Sequence, residues 1–160
     1  MPNYSSHSGS RNRGGPRTTG ATTALPTPKT ITYYIDNTPN ARLMDEDAQD
    51  LGEALAVQDQ LKPSQLRRYY DDVGNLRARL DAIARKPGPD REQAFTLLRA
   101  DFKMLKAKAA YARGRQLIPE RLLQFFMDHV HSVNSANDFD VFCRHFQAVV
   151  AFHKFYKPKD

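Results

Sequence analysis

A single cysteine, Cys143, stands in the 160 residues, which excludes an intramolecular disulfide and any zinc site built from several thiolates. Set in "FDVFCRHF", it reads as a packed side chain, and so sparing a use of sulfur fits a cytoplasmic protein. No uninterrupted run of about 18 apolar residues occurs, and the N-terminus lacks the basic-then-apolar pattern of a secretory signal. A soluble chain with no membrane partner is therefore expected. Glycine-rich phosphate loops are missing as well: "RGG" falls in the N-terminal stretch and "KPGP" is a turn.

Convergent acids, bases and metal ligands are equally scarce. In "HVH", His129 and His131 are two apart, whereas metal pairs on a helix sit four apart. Cys143 and His145 share that spacing of two, so a helix points them away from each other and no nucleophilic dyad follows. Asp71–Asp72 diverge as helical neighbours, and Asp138 and Asp140 sit near a helix start, where acids cap. No catalysis, no metal and no cofactor is expected.

What the chain does have is helical periodicity. Residues 1–30 are rich in Ser, Gly, Thr and Pro and carry Arg11, Arg13, Arg17 and Lys29 without an acid, the composition of a disordered basic tail. Residues 31–160 read as one helical domain. "ITYYID" is strand-like, but with no partner in sequence it is expected only to lie extended on the body. A first helix starts at Asp45, its N-cap. A second opens at Pro63 with Leu66, Tyr70, Val73, Leu76, Leu80 and Ile83 on one stripe, and "RKPGPD" ends it. The third, about 90–113, is capped by Asp90, carries Phe95, Leu98, Phe102 and Leu105, and meets Gly114 where a left-handed C-terminal cap is expected. A second apolar row, Leu97, Met104 and Tyr111, lies off that face and implies packing on two sides. Pro119 opens a fourth helix. The fifth, about 138–156, is apolar over so much of its surface that it should be central. The fold class is all-α, a bundle of about five helices.

Charge is distributed unevenly along this pattern. The net charge is +6, yet residues 36–59 hold seven acids against Arg42 alone, while residues 62–115 hold fourteen basic residues against six acidic ones. On the third helix Arg99, Lys103, Lys106 and Arg113 form a stripe beside the apolar face, a geometry suited to a phosphate backbone, with Tyr69, Tyr70 and Tyr111 available for stacking. A merely solvated cationic face fits the same periodicity.

Three segments, "LKPSQLRRYYDDVGNL", "LKAKAAYARGR" and "FDVFCRHFQAVVAFHKFYKPK", decide between these readings. In order and spacing they resemble the small subunit of type III-A (Csm-type) CRISPR effector complexes, over roughly residues 45–158. That family shows an SQ-apolar-R segment, an LK-x-K-x-x-Y-x-x-GR segment and a closing VAYHKFY-like segment. Gln147 and Phe152 depart from its usual Glu and Tyr. The resemblance implies a small, helical, non-catalytic protein present in several stacked copies, whose partners are guide RNA, target RNA, other subunits and neighbouring copies of itself. Carried over by position, Arg67 and Arg68 match the basic residue after "SQL", and Lys106, Lys108, Arg113 and Arg115 match the central motif. With Arg99 and Lys103 from the stripe, and Lys154 from the closing segment, these are the expected RNA contacts. His153 is expected to be a buried, hydrogen-bonded histidine. The alternatives are a stand-alone helical protein-interaction domain with only non-specific nucleic-acid affinity, or a small helical enzyme, for which the sequence offers no acid/base pair.

Overall fold

Helix start and stop signals place most of the elements. A computed structural model describes residues 24–159, and five helices dominate it: α1 (Glu46–Ala56), α2 (Pro63–Ala84), α3 (Arg91–Gly114), α4 (Glu120–Ser132) and α5 (Ala136–Tyr156). Pro63 occupies the first turn of α2, where its missing N–H is no loss. Asp90 accepts from the Gln93 backbone N–H at 2.8 Å while the Gln93 side chain accepts from the Asp90 backbone N–H at 3.0 Å, a reciprocal capping box at the start of α3. Ser135 and Asp138 repeat the device on α5, which therefore starts slightly earlier than the expected residue 138. Asp45 precedes α1 as expected, but its side chain makes no capping bond.

The all-α class holds, and α5 is the central helix: it packs against α1, α2 and α3. Phe139, Phe142, Phe146 and Val149 of α5 are fully buried, and Phe125 and Phe126 of α4 reach across to Phe146 at ring separations of 5.4 and 5.5 Å. Helices α1 and α5 approach each other tightly at Gly52. A methyl group on Gly52 would stand 2.6 Å from Cβ of Phe152 and 2.8 Å from the backbone nitrogen of His153, so only glycine lets the two backbones meet here.

Three expectations are corrected. Residues 34–39 pair as a minimal antiparallel hairpin, β1 (Tyr34–Ile35) with β2 (Thr38–Pro39), rather than lying unpaired. Asp36 and Asn37 form its turn with φ of 49° and 61°, a left-handed geometry that these two residue types tolerate well. On α2 the inward tyrosine is Tyr69, 5% exposed and 4.8 Å from the Phe126 ring, while Tyr70 is 39% exposed. Gly114 remains helical; the left-handed residue after α3 is Gln116, at φ 59°, and Leu117 N–H returns to the Ala112 carbonyl at 2.9 Å.

The extended stretch before the hairpin is held by a polar row on α4. Gln124 donates to the Thr27 carbonyl at 2.9 Å, Asp128 accepts from Lys29 N–H at 2.7 Å, and Ser132 accepts from Ile31 N–H at 2.9 Å. Four helical residues advance about 6 Å and two extended ones about 6.6 Å, so every fourth residue of α4 meets every second residue of the strand. Residues 24–30 of the expected tail thus run along α4, and residues 1–23 lie outside the described residues.

Candidate nucleic-acid interface

Helix α3 faces the core with Ala94, Phe95, Leu98, Phe102, Leu105, Ala109 and Ala112, all buried. Its cations fall on either side of that face because a helix advances 100° per residue. One flank forms a groove with α4, closed on its outer side by the N-terminal stretch. There Arg99, Lys103 and Lys106 line a cavity of about 520 Å³ with His131, Asn134, Leu25 and Pro28. The Arg99 guanidinium donates to the Asn134 carbonyl at 2.7 Å and lies 5.4 Å over the Phe95 ring, while its Nε is buried with no partner among the described residues. Arg113 belongs to this flank too, but is turned to Glu120 at 2.9 Å.

The other flank faces α2. Arg68, Lys108 and Tyr111 line a second groove, in which Lys108 pairs with Asp72 at 2.8 Å. Arg115 reaches back to the Tyr111 hydroxyl at 3.3 Å, with its guanidinium 5.8 Å from the ring. Arg67, one residue from Arg68, points instead toward α5, where it shares a cavity wall with Lys154; its contact with Asp71 is 4.0 Å. Lys154 donates to the Pro158 carbonyl at 3.1 Å. Seven of the nine expected contacts therefore line three grooves: Arg99, Lys103 and Lys106 are brought together, Arg68 and Lys108 meet on the opposite flank, and Arg67 and Lys154 lie apart from both, while Arg113 and Arg115 line none of the three. Between the two flanks of α3 runs the second apolar row, with Leu97 68%, Met104 52% and Tyr111 66% exposed. That row has no neighbour among the described residues that buries it.

Groups suited to chemistry are placed inside. Cys143 is buried, which pushes its thiol up to about 12. His129 and His145 are both buried with ring centres 5.2 Å apart. Nδ1 of His129 shares a 2.6 Å hydrogen bond with the Tyr33 hydroxyl. Nδ1 of His145 meets the Leu43 carbonyl, which can only accept, so that nitrogen carries the proton. Burial holds both imidazoles below their ordinary value, His129 well below. His153 is buried as expected but not satisfied as expected: its Nε2 has no hydrogen-bond partner among the described residues. Sequence spacing also missed Arg91, which grips Asp140 with two bonds of 2.5 and 3.1 Å and Asp81 at 2.6 Å, joining α2, α3 and α5. Asp138 does cap a helix; Asp140 serves this ion pair instead. Among the described residues no group of three His, Cys, Asp or Glu side chains could hold a metal ion, and no helix is long and apolar enough to cross a membrane.

The three motif segments lie on α2, on α3 and its C-terminal end, and on α5, the elements that carry these grooves. Residues 38–159 match the family model described as Csm2 Type III-A. The chain belongs to that family. It is a Csm2-type small subunit of type III-A CRISPR complexes, which sets it beside the other subunits of such an effector complex. No curated protein and no solved structure matches the chain.

Proposed function

We propose that this small subunit is non-catalytic and holds guide and target RNA by their phosphates, with several copies stacked along the complex. The observation that carries the reading is the α3–α4 groove, where the charged lining residues among those described, Arg99, Lys103 and Lys106, are all cationic. Lys108 and Arg113, by contrast, already have carboxylate partners. A row of cations along one groove favours a continuous anionic backbone and gains affinity by counterion release, with little sequence discrimination. Burial of Cys143, His129 and His145 supports the non-catalytic part, since each is sealed from substrate. The exposed row Leu97, Met104 and Tyr111 supports stacking, because a neighbouring copy would cover it.

The test is a fluorescent single-stranded RNA titrated across a salt series with wild type and Lys103→Ala/Lys106→Ala, after circular dichroism shows both folded. Affinity falls steeply with salt in the wild type, and the variant's logarithmic slope is shallower by about 0.7 for each phosphate it no longer neutralises. Equal slopes would remove the α3–α4 groove from the reading. For stacking, Tyr111→Glu lowers self-association in sedimentation without unfolding the monomer; an unchanged sedimentation profile counts against that row.

A further inference from the structure

The cavity between the start of α2 and the end of α5 is unlike the two grooves beside α3. Its volume is about 810 Å³, and Pro63, Leu66, Tyr70 and Val150 supply apolar walls. Lys62, Arg67 and Lys154 line the same cavity with one acid, Asp71, which stands 4.0 Å from Arg67, so the apolar recess carries an excess of positive charge at its rim. The Tyr70 ring, 39% exposed, offers a flat face there. The wall also contains His153, 3% exposed, with Nε2 unpartnered among the described residues, and a buried polar group without a partner is costly until it finds one.

We propose that this cavity receives one unpaired nucleobase of single-stranded RNA, with the phosphates on either side of that base held by Lys62 and Arg67. The inference rests on the RNA-binding reading given above. An aliphatic side chain from a protein partner would fill the walls but would bring no negative charge to Lys62 and Arg67 and could not engage a buried imidazole nitrogen. A nucleobase has an apolar face for Tyr70, polar atoms along its edge, and a negative charge on each flanking linkage. The chemistry recognised is a planar heterocycle tethered to phosphates, with no demand for one particular base, because the walls are mostly apolar.

The experiment measures full-length chain binding two RNA oligomers of equal length and charge, one ordinary and one with abasic positions throughout its centre. Three proteins are compared: wild type, Ser64→Trp, which plugs the cavity from an exposed position in its lining, and Tyr70→Ala, which removes the flat face without adding bulk. Wild type should bind the abasic oligomer about tenfold more weakly, the scale of one stacked base, at an unchanged salt slope. In both variants that ratio should collapse toward one. Equal binding of the two oligomers by wild type overturns the base site while leaving phosphate binding in place. A ratio kept in both variants places the base contact elsewhere and also overturns it. Absence of binding by either oligomer removes the RNA reading and this inference together. If the plug alters sedimentation and leaves RNA binding untouched, the occupant is a second copy's side chain and the proposal fails. Should Ser64→Trp not fold, Tyr70→Ala and the wild-type ratio still decide.

Discussion

The seam between α1 and α5 and the outer face of α3 are built on opposite terms. At the seam a glycine admits backbone against backbone, the neighbouring histidines are enclosed, and the acids of α1 lie on the outside. On α3 three large apolar side chains stand in solvent between two lines of cations. One region spends its residues on fixing a shape; the other keeps its residues available to something outside the chain. A small subunit of an assembly needs both, because surfaces can be positioned only by a body that does not itself rearrange.

Breaking the interior tests that division most severely. Phe142 of α5 is fully buried and meets Phe102, Phe125, His129 and Phe146, so Phe142→Ala should cost about 3–5 kcal/mol in urea unfolding. A loss under about 1 kcal/mol would mean the aromatic cluster is not the anchor. Acid acts on the same region. Because the folded state holds His129 and His145 below the free value of about 6.5, the unfolded chain binds more protons there. Stability is therefore complete above about pH 6.5 and falls as pH drops below it, by at most about 1.4 kcal/mol per pH unit for each histidine. Urea midpoints at about pH 7.5 and about pH 5.5 check the sign, and a midpoint that rises toward acid contradicts it.

The seam allows a sharper contrast between two glycines. In an otherwise ordinary helix Gly→Ala stabilises by up to about 1 kcal/mol. Gly74, on α2, has nothing within 4 Å of an added Cβ, and Gly74→Ala should show that gain. Gly52→Ala should instead lose about 2 kcal/mol, because the obstructing atoms are backbone and Cβ, which cannot swing aside. Equal effects at the two positions would mean α1 and α5 do not approach as closely as described.

Much of this architecture was legible because its signals are local. Pro63, Asp90, Gly88 and the 3.6-residue stripes announce where helices begin, end and face. The motif segments likewise carried the family. What stayed hidden depends on distance in sequence. His129 and His145 each look unremarkable in their own helix; they meet only because α4 packs near α5. Arg91 gives no hint of Asp81 and Asp140. The row Gln124, Asp128, Ser132 has a spacing of four but no meaning until a strand with alternating bonding groups lies beside it. Tyr69 and Tyr70 show the limit of a stripe: with adjacent aromatics, the 100° phase is settled by the partner, here Phe126. For the cations, the sequence located charge on α3 without revealing that Asp72 and Glu120 engage two of them.

The smallest effect on stability is expected where the effect on binding should be greatest. Lys103 is exposed and Lys106 half-exposed in a groove whose charged lining is entirely cationic. Their removal deletes no buried packing and relieves like-charge repulsion, so Lys103→Ala/Lys106→Ala should shift unfolding by no more than about 0.5 kcal/mol. Lys108→Ala makes the complementary case: it breaks an ion pair with Asp72 that is about half exposed, which costs under about 1 kcal/mol, and should alter RNA binding less than the double variant does. If instead Lys103→Ala/Lys106→Ala unfolds the chain, those lysines belong to the structural half of the molecule and the contrast between seam and outer face dissolves. If it leaves both stability and salt dependence unchanged, the open face remains, but its partner must reach it through Leu97, Met104 and Tyr111 rather than through charge.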